Sequence, residues 1–395
     1  MEDFVHLHVH TYYSILDGQS NIQKLVDKAI NDGMRGLAIT DHGNMFGIKE
    51  FYNYCNKVNG KRKEEGLPPF KPILGCEMYV ARNKKESKIK ENGDMGGKHL
   101  IVLAKNLQGY KNLIKLVSRS WVDGFYMRPR TDHEDLERYH EGLIVCSACI
   151  AGEVPSKVLK GDYEGAREAA RWFKRVFGDD YYLELQRHEV KDPSLRANRQ
   201  TYPLQQKANQ ALLEIAKELD IKVVCTNDVH FIEKDDAEAH DHLICLSTNK
   251  DLNDPNRLLY TKQEWFKSKE EMNEVFGDLP EAMRNTCEIL DKIELYSIDH
   301  APIMPFYPIP EDFGTEEALR QSISEEDLFK EFTSDENGQN QLPLEEGKKK
   351  IEKLGGIEKL YRIKFEADYL AKLAYDGAKK LYGDPLSEEV TSHIK

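Results

Sequence analysis

Six strand-like segments of this chain carry, at or beside one end, a residue that can bind a metal ion. The segments are residues 5–11 with Asp17 behind them, residues 40–43, 75–77, 98–99, 146–149 and 226–230. Because these residues are spread over more than 200 positions, they converge only if the strands close into a barrel in which every strand directs its C-terminal end to one mouth. Barrel enzymes place their chemistry there. The pattern predicts a multinuclear metal site with hydrolytic chemistry.

The first and last of these segments share the same spacing of candidate ligands. Alternate side chains of a strand share a face, so His8 and His10 can bind one ion together, and Asp228 and His230 repeat the arrangement. His6 shares that face but lies deeper in the barrel. We therefore leave His6 out of the predicted ligand set.

The middle strands supply a carboxylate that can bridge two ions. Glu77 lies in an otherwise apolar strand, where an unpaired carboxylate is costly to bury, so it needs a cation or a hydrogen-bond network. Asp41 and His42 point to opposite faces, and we choose His42 as the ligand. Asp41 is expected to lie behind the ligands, since a ligating imidazole usually donates its other N–H to a carboxylate or carbonyl.

The cysteines exclude one class of site and add a ligand. Cys149 lies past the end of its strand, where a thiolate ligand fits, whereas Cys146 lies inside the strand and should pack as a small apolar residue. The chain has no second Cys-x-x-Cys pair, which excludes a zinc ribbon. His99 alone would be a core histidine more often than a ligand, and is included because of its neighbours in this set.

The predicted ligand set mixes imidazole, carboxylate and thiolate donors: His8, His10, Asp17, His42, Glu77, His99, Cys149, Asp228 and His230. These are too many for one ion, and they suit two or three divalent ions of zinc, manganese or iron. Such a cluster can bind a phosphate ester, activate water near neutral pH and stabilise the attacking and leaving oxygens. We expect no catalytic residue apart from the ligands.

The elements between these segments predict the barrel that the site needs. Short apolar strands, such as residues 36–40, 143–146 and 222–226, alternate with helical patterns such as residues 162–177. This alternation is typical of parallel β/α units, and seven such strands predict an α/β fold that closes as a seven-stranded (β/α) barrel. The alternation stops after about residue 287, and a smaller, mainly helical segment follows.

The composition restricts the possible partners. The 395 residues carry a net charge of −13, so we expect weak DNA binding by this chain alone, because phosphate contacts need Lys and Arg. No apolar run approaches the length of a membrane span, which argues against a membrane partner. The seven Cys suit reduced thiols, and a cytoplasmic protein is expected. Residues 83–97 predict a mobile loop, and residues 123–135 an aromatic and basic loop.

The motifs resemble those of the polymerase-and-histidinol-phosphatase (PHP) domain. The resemblance rests on residues 8–11 with Asp17-Gly18, residues 39–43, Glu77, His99, Cys149 and residues 226–231. With further matches at residues 124–130 and 143–153, it extends over about residues 4–310 to the N-terminal region of the bacterial replicative DNA polymerase III alpha-subunit family.

The resemblance implies a distorted barrel of the PHP type with a three-metal centre and, in members that keep every ligand, 3′–5′ exonuclease proofreading. It implies a metal-dependent phosphoesterase domain at residues 1–285 and the beginning of a polymerase palm at residues 286–395, with an insertion at about 322–355. The full-length enzyme would be a DNA-directed DNA polymerase that acts on DNA with other replicase subunits. This chain would then be a fragment that does not polymerise DNA by itself.

Three functions stay open on the sequence alone. The first is a polymerase PHP region with nuclease activity, the second a free-standing phosphatase of the histidinol-phosphate type, and the third a metal-stabilised scaffold without turnover. The aromatic and basic loop at Phe125–Arg130 and the helical tail after Cys287 argue against the second. Only a hydrolysis assay separates the first from the third, whereas metal content decides whether the nine residues form a loaded cluster.

Overall fold

One mixed sheet forms the wall of the barrel in the computed structural model, which describes residues 1–190, 196–303, 305, 307–335 and 340–394. The strands are β1 (Gly36–Ile39), β2 (Lys71–Val80), β3 (Lys98–Ala104), β4 (Arg130–Thr131), β5 (Leu143–Cys146), β6 (Tyr181–Gln186) and β7 (Lys222–Thr226). Their order in the sheet is β1-β2-β3-β5-β6-β7, and the short β4 pairs with β2.

One long strand runs against its neighbours. The pairs β1–β2, β5–β6 and β6–β7 are parallel, as the β/α alternation predicts, but β3 is antiparallel to both β2 and β5. The prediction that every strand directs its C-terminal end to the mouth is therefore wrong for β3. Its first residues reach the mouth instead, where His99 pairs with Tyr79 and bridges to Gly152.

The N-terminal segment, residues 4–11, closes the barrel between β1 and β7. On the β1 side, the backbone N–H of Ala38 donates to the carbonyl of His6 (3.0 Å). On the β7 side, the backbone N–H of His10 donates to the carbonyl of Val229 (2.7 Å). The predicted first strand is thus an extended segment that joins both edges of the sheet, although it forms only isolated bridges rather than a regular ladder.

Helices pack against the strands that they connect. In the barrel unit they are α1 (Ile22–Asn31), α2 (Ile48–Glu64), α3 (Leu107–Val122), α4 (His133–Arg138), α5 (Glu153–Leu159), α6 (Tyr163–Phe177), α7 (Arg196–Leu219), α8 (Ala237–Thr248), α9 (Lys269–Phe276) and α10 (Pro280–Lys292). The N-cap of α1 is Asn21, whose side chain accepts the N–H of Lys24 (3.1 Å). The apolar core lies between these helices and the sheet.

A buried arginine anchors the charged loop at residues 83–97. Arg130 is fully buried, and its guanidinium donates to the carbonyls of Asp94 (2.6 Å), Lys85 (2.7 Å) and Ser87 (2.9 Å). Its Nε–H donates to the carbonyl of Gly124 (3.0 Å). The most deeply placed basic residue of the aromatic and basic loop therefore has a structural role.

The chain divides into two compact units, residues 1–300 and 301–395. The second unit contains α11 (Glu316–Ser322), α12 (Glu325–Thr333), α13 (Leu344–Lys353), α14 (Ile357–Tyr382) and α15 (Glu388–Ile394), and has its own small apolar core. Residues 336–339 of the predicted insertion at 322–355 lie outside the described residues. The assignment of residues 1–285 and 286–395 to two functional domains stays a prediction. Within the described residues, no helix is both long and apolar enough to cross a membrane.

Candidate metal centre

Two histidines of the N-terminal segment meet Asp228 at the barrel mouth. The backbone bond to Val229 sets the first and last segments side by side. The Nε2 of His8 lies 3.1 Å from the Nε2 of His10 and 3.0 Å from the Oδ1 of Asp228, and the Nε2 of His10 lies 3.3 Å from the same oxygen. Both rings are fully buried. These three side chains form one group that could hold an ion.

Glu77 lies at the centre of the cluster. Its Oε1 is 2.7 Å from the Nδ1 of His99 and 3.5 Å from the Nε2 of His8. Its Oε2 is 2.5 Å from the Nδ1 of His42 and 3.7 Å from the Nε2 of His10. Glu77 forms a second three-donor group with His42 and His99. Since each oxygen faces two imidazoles, the carboxylate has the position that a bridge between two ions requires.

Asp17 approaches two histidines that come from opposite ends of the barrel sequence. Its Oδ2 lies 3.3 Å from the Nε2 of His42 and 4.0 Å from the Nε2 of His230. The rings of these two histidines lie against His10, at centroid distances of 4.1 and 4.3 Å. The three histidines form a third group that could hold an ion, with Asp17 beside it.

Cys149 lies at the edge of the cluster. Its Sγ is 3.8 Å from the Nδ1 of His99, and the left-handed backbone of Ala148 (φ 61°) turns the chain just before it. The two residues that we leave out of the ligand set lie elsewhere. Cys146 is buried in the apolar core, and the Nε2 of His6 lies 2.8 Å from the carbonyl of Lys267.

The donor set fits divalent metal ions. Four of its buried polar atoms lack a hydrogen bond of good geometry: Asp17 Oδ1, His42 Nδ1, Glu77 Oε2 and Asp228 Oδ1. Two of them face each other, since His42 Nδ1 lies 2.5 Å from Glu77 Oε2, and Asp228 Oδ1 lies 3.0 Å from His8 Nε2. A cation shared among these atoms would satisfy them together, whereas a buried polar atom without a good hydrogen bond costs about 1–3 kcal/mol. Imidazole, carboxylate and thiolate donors suit ions such as zinc, manganese and iron.

The charges of the cluster also favour bound cations. Burial lowers the pKa of His8, but the carboxylates of Asp228 and Glu184 outweigh it and hold that pKa well above its ordinary value. The pKa of His42 is also raised well above its ordinary value, because two carboxylates outweigh its burial. Burial and two neighbouring imidazoles lower the pKa of His10 to about 3. The carboxylates thus require positive charge beside them, which protons or metal ions can supply.

Asp41 reaches a ligand through Ser14. Its Oδ1 accepts hydrogen bonds from the Thr11 N–H (2.7 Å) and from the Ser14 hydroxyl (2.9 Å). The Oγ of Ser14 lies 2.9 Å from the Nδ1 of His10. Asp41 therefore has the expected place behind the ligands, but the ring that it positions is His10, and the sequence did not point to Ser14 as the link.

Glu184 is a further residue of the site that the sequence reasoning missed. Its Oε1 lies 2.7 Å from the Nδ1 of His8 and accepts hydrogen bonds from Thr226 Oγ1 (2.5 Å) and Gln186 Nε2 (3.0 Å). It thereby fixes the His8 ring with Nε2 facing the cluster. A signal was present, because Glu184, like Glu77, is a single acid in an otherwise apolar strand.

Tyr260 also contacts the cluster. Its hydroxyl donates to the Oδ2 of Asp17 (3.0 Å) and lies 3.2 Å from the Nε2 of His230. Tyr260 comes from an irregular segment after α8, where the chain has no periodic pattern. No feature of the sequence could therefore have identified it.

Comparison with known proteins agrees with this architecture. The family model of the PHP domain matches residues 6–188. The DNA polymerase III alpha subunit of Borreliella burgdorferi is 42% identical over 338 residues, which cover 84% of this chain and 27% of that protein. The corresponding subunit of Treponema pallidum is 38% identical over 331 residues, 83% of this chain and 26% of that protein. The chain thus spans about a quarter of the length of the curated relatives that it matches.

Solved structures are more distant. The histidinol phosphate phosphatase of Lactococcus lactis, complexed with zinc, L-histidinol and phosphate, is 16% identical to this chain with a TM-score of 0.32, and covers 62% of this chain and 94% of its own. A TM-score this low carries no argument about the ligands or reaction of this chain. Residues 6–188 of this chain match the PHP domain family, and the chain is similar to bacterial DNA polymerase III alpha subunits.

Proposed function

We propose that residues 1–300 are a metal-dependent phosphoesterase that removes nucleotides from the 3′ end of DNA. The observation that carries the proposal is the convergence of imidazole and carboxylate groups into three sets whose donor atoms lie close enough together to share an ion. Divalent ions, when bound there, would acidify a water ligand and stabilise negative charge on a phosphoryl oxygen. The protein groups hold the ions and exclude other water, because most of them are buried.

The chain's residues divide this task among two or three ions of zinc, manganese or iron. We assign Asp17, His42 and His230 to one ion and Glu77 to the bridge between two others. The remaining ligands are His8, His10, His99, Cys149 and Asp228. This division is supported by the distances from Asp17 to His42 and His230 and by the central place of Glu77.

We propose that the activity serves proofreading in a replicative DNA polymerase, because the relatives with the highest identity reported above are polymerase subunits. The partners of the longer protein would be DNA and other replicase subunits. A cytoplasmic location fits the seven cysteines, all of which are free thiols.

The test combines metal content with turnover. Elemental analysis of the purified chain should find two or three divalent ions, and the chain should shorten a 5′-labelled single strand in the presence of manganese or zinc. Asp228→Asn should lower turnover by at least about 100-fold, since it removes a ligand charge, and should keep the fold because the core is apolar. Asp235→Asn, in an exposed turn nearby, is the matched control. If Asp228→Asn and wild type are equally active, the scaffold function is the better explanation.

A further inference from the structure

A cavity of about 590 Å³ opens at the start of β3, and basic residues outnumber acidic residues on its walls by five to four. The basic residues are Arg82 and Lys84 after the end of β2, Lys98 at the start of β3, and Lys157 and Lys160 in and after α5. Lys98 is the residue before the predicted ligand His99. The cavity is therefore next to the cluster but separate from it, since none of the predicted ligands lines it.

The acidic groups of the same wall are already occupied. Asp132 accepts backbone hydrogen bonds from Lys85 (3.0 Å) and Asp135 (2.9 Å). The other acids have side-chain partners: Glu153 with His133 (2.8 Å), Glu134 with Arg138 (3.5 Å) and Asp162 with Lys157 (3.8 Å). These acids thus have partners other than Arg82, Lys84, Lys98 and Lys160.

The four cations have no such partners. Within the part of the chain that the structure describes, Arg82, Lys84, Lys98 and Lys160 form no ion pair within 4.0 Å. All four line the same cavity. Like charges held around one cavity beside a centre suited to phosphate chemistry point to an anionic ligand.

We propose that this cavity binds phosphate groups of a single DNA strand whose end lies at the metal centre. The identity of the substrate in this proposal rests on the proposed function. The location of the site rests on the cations that have no ion-pair partner. Because the predicted metal ligands are mostly buried, a single strand end can approach them more readily than an intact duplex. The phosphates behind the reacting bond would then lie along the cavity next to His99, where the cations neutralise them.

The cavity also gives a limited basis for DNA binding by an acidic chain. Neutralising each phosphate of a single strand contributes about 0.7 to the slope of log affinity against log salt. Two cations should therefore contribute about 1.4, which corresponds to about a sevenfold loss of affinity between 50 and 200 mM salt. Binding should be weak overall, but its dependence on salt should come largely from this one site.

The test is fluorescence anisotropy of a labelled 12-nucleotide single strand with wild type and with Arg82→Ala/Lys160→Ala. Both residues are exposed, so the variant should fold. We expect the salt slope to fall by about 1.4. The matched control is Lys57→Ala/Lys61→Ala, which removes two exposed charges from α2, a helix that does not line the cavity. Equal slopes for the two double variants would overturn the proposal.

Two further arms identify the ligand. Inorganic phosphate should compete only at millimolar concentration, and a glutamate polymer should compete poorly; if the polymer competes as well as DNA, the site is not specific for phosphate and the proposal fails. Hydrolysis of bis(p-nitrophenyl) phosphate, which is too small to span the cavity and the cluster, should be unchanged in Arg82→Ala/Lys160→Ala. If wild type does not hydrolyse this compound at all, the proposed function fails, whereas the binding result still decides the cavity.

Discussion

Replacing Glu184 by glutamine should weaken metal binding without unfolding the barrel. The side chain keeps its shape, and its Oε1 can still accept from Thr226 and Gln186. The negative charge beside the Nδ1 of His8 (2.7 Å) is lost. Residues that orient a metal ligand contribute about 10–100-fold to metal affinity, which corresponds to about 1.4–2.7 kcal/mol. We expect a loss in that range for Glu184→Gln.

The local cost to folding should be small. The second oxygen of Glu184 is buried and has no hydrogen-bond partner, so the amide group that replaces it gains a donor without an acceptor. An unsatisfied buried donor costs about 1–3 kcal/mol. Thermal unfolding without added metal should therefore show a modest decrease in Tm, whereas the increase in Tm on adding zinc should shrink much more.

The assay is competition for zinc against a chromophoric chelator, which measures affinity independently of turnover. Glu288→Gln is the control, since Glu288 accepts from the hydroxyl of Tyr182 (2.8 Å) on the same strand and pairs with Lys222 (2.6 Å), away from the cluster. Zinc affinity within threefold of wild type for Glu184→Gln would refute the role of Glu184. An equal loss of zinc affinity in Glu288→Gln would mean that the effect comes from a disturbance of β6 rather than from the lost charge beside His8.

Two predictions concern buried cations outside the cluster. Arg130→Met should destabilise the barrel by more than about 3 kcal/mol in urea unfolding, because it leaves four carbonyls without their donor, whereas the exposed Arg138→Met should change stability by less than about 0.5 kcal/mol. Burial lowers the pKa of Lys267 to about 7. Because this folded pKa lies below the unfolded value, the unfolded state binds more protons than the folded state between pH 7 and 10. The free energy of unfolding of wild type should therefore fall, relative to that of Lys267→Met, as the pH decreases from 9.5 to 7. The change should not exceed about 1.4 kcal/mol per pH unit; a difference independent of pH would contradict it.

The sequence predicted the barrel well because its signals were local. Short apolar strands separated by amphipathic helices can be recognised from the order of apolar and polar residues alone, as in β1, β5 and β7. The direction of β3 depends instead on its pairing with β2 and β5, which no local pattern encodes. His99 could still be predicted as a ligand, because its inclusion in the predicted ligand set depended on residue type rather than on strand direction.

The supporting residues of the site were harder to predict, because they act through contacts between distant segments. Ser14 links Asp41 to His10, and Tyr260 reaches Asp17 over 243 positions of sequence. A hydroxyl group in a loop has no periodicity or buried charge to mark it. Of the three supporting residues Ser14, Tyr260 and Glu184, only Glu184 could have been predicted, since a single carboxylate in an apolar strand requires a partner.

The N-terminal segment connects the stability of the barrel to its predicted chemistry. The same few residues join both edges of the sheet through Ala38 and Val229 and present His8 and His10 to the cluster. The segment has only isolated bridges to its neighbours, so its backbone bonds hold it less firmly than a regular ladder would. Ions bound between His8, His10 and Asp228 would tie it to the segment after β7, adding binding energy to the folded state alone. Closure of the barrel and occupation of the metal centre would therefore be one coupled equilibrium, and bound ions would stabilise the fold whether or not the chain turns over a substrate.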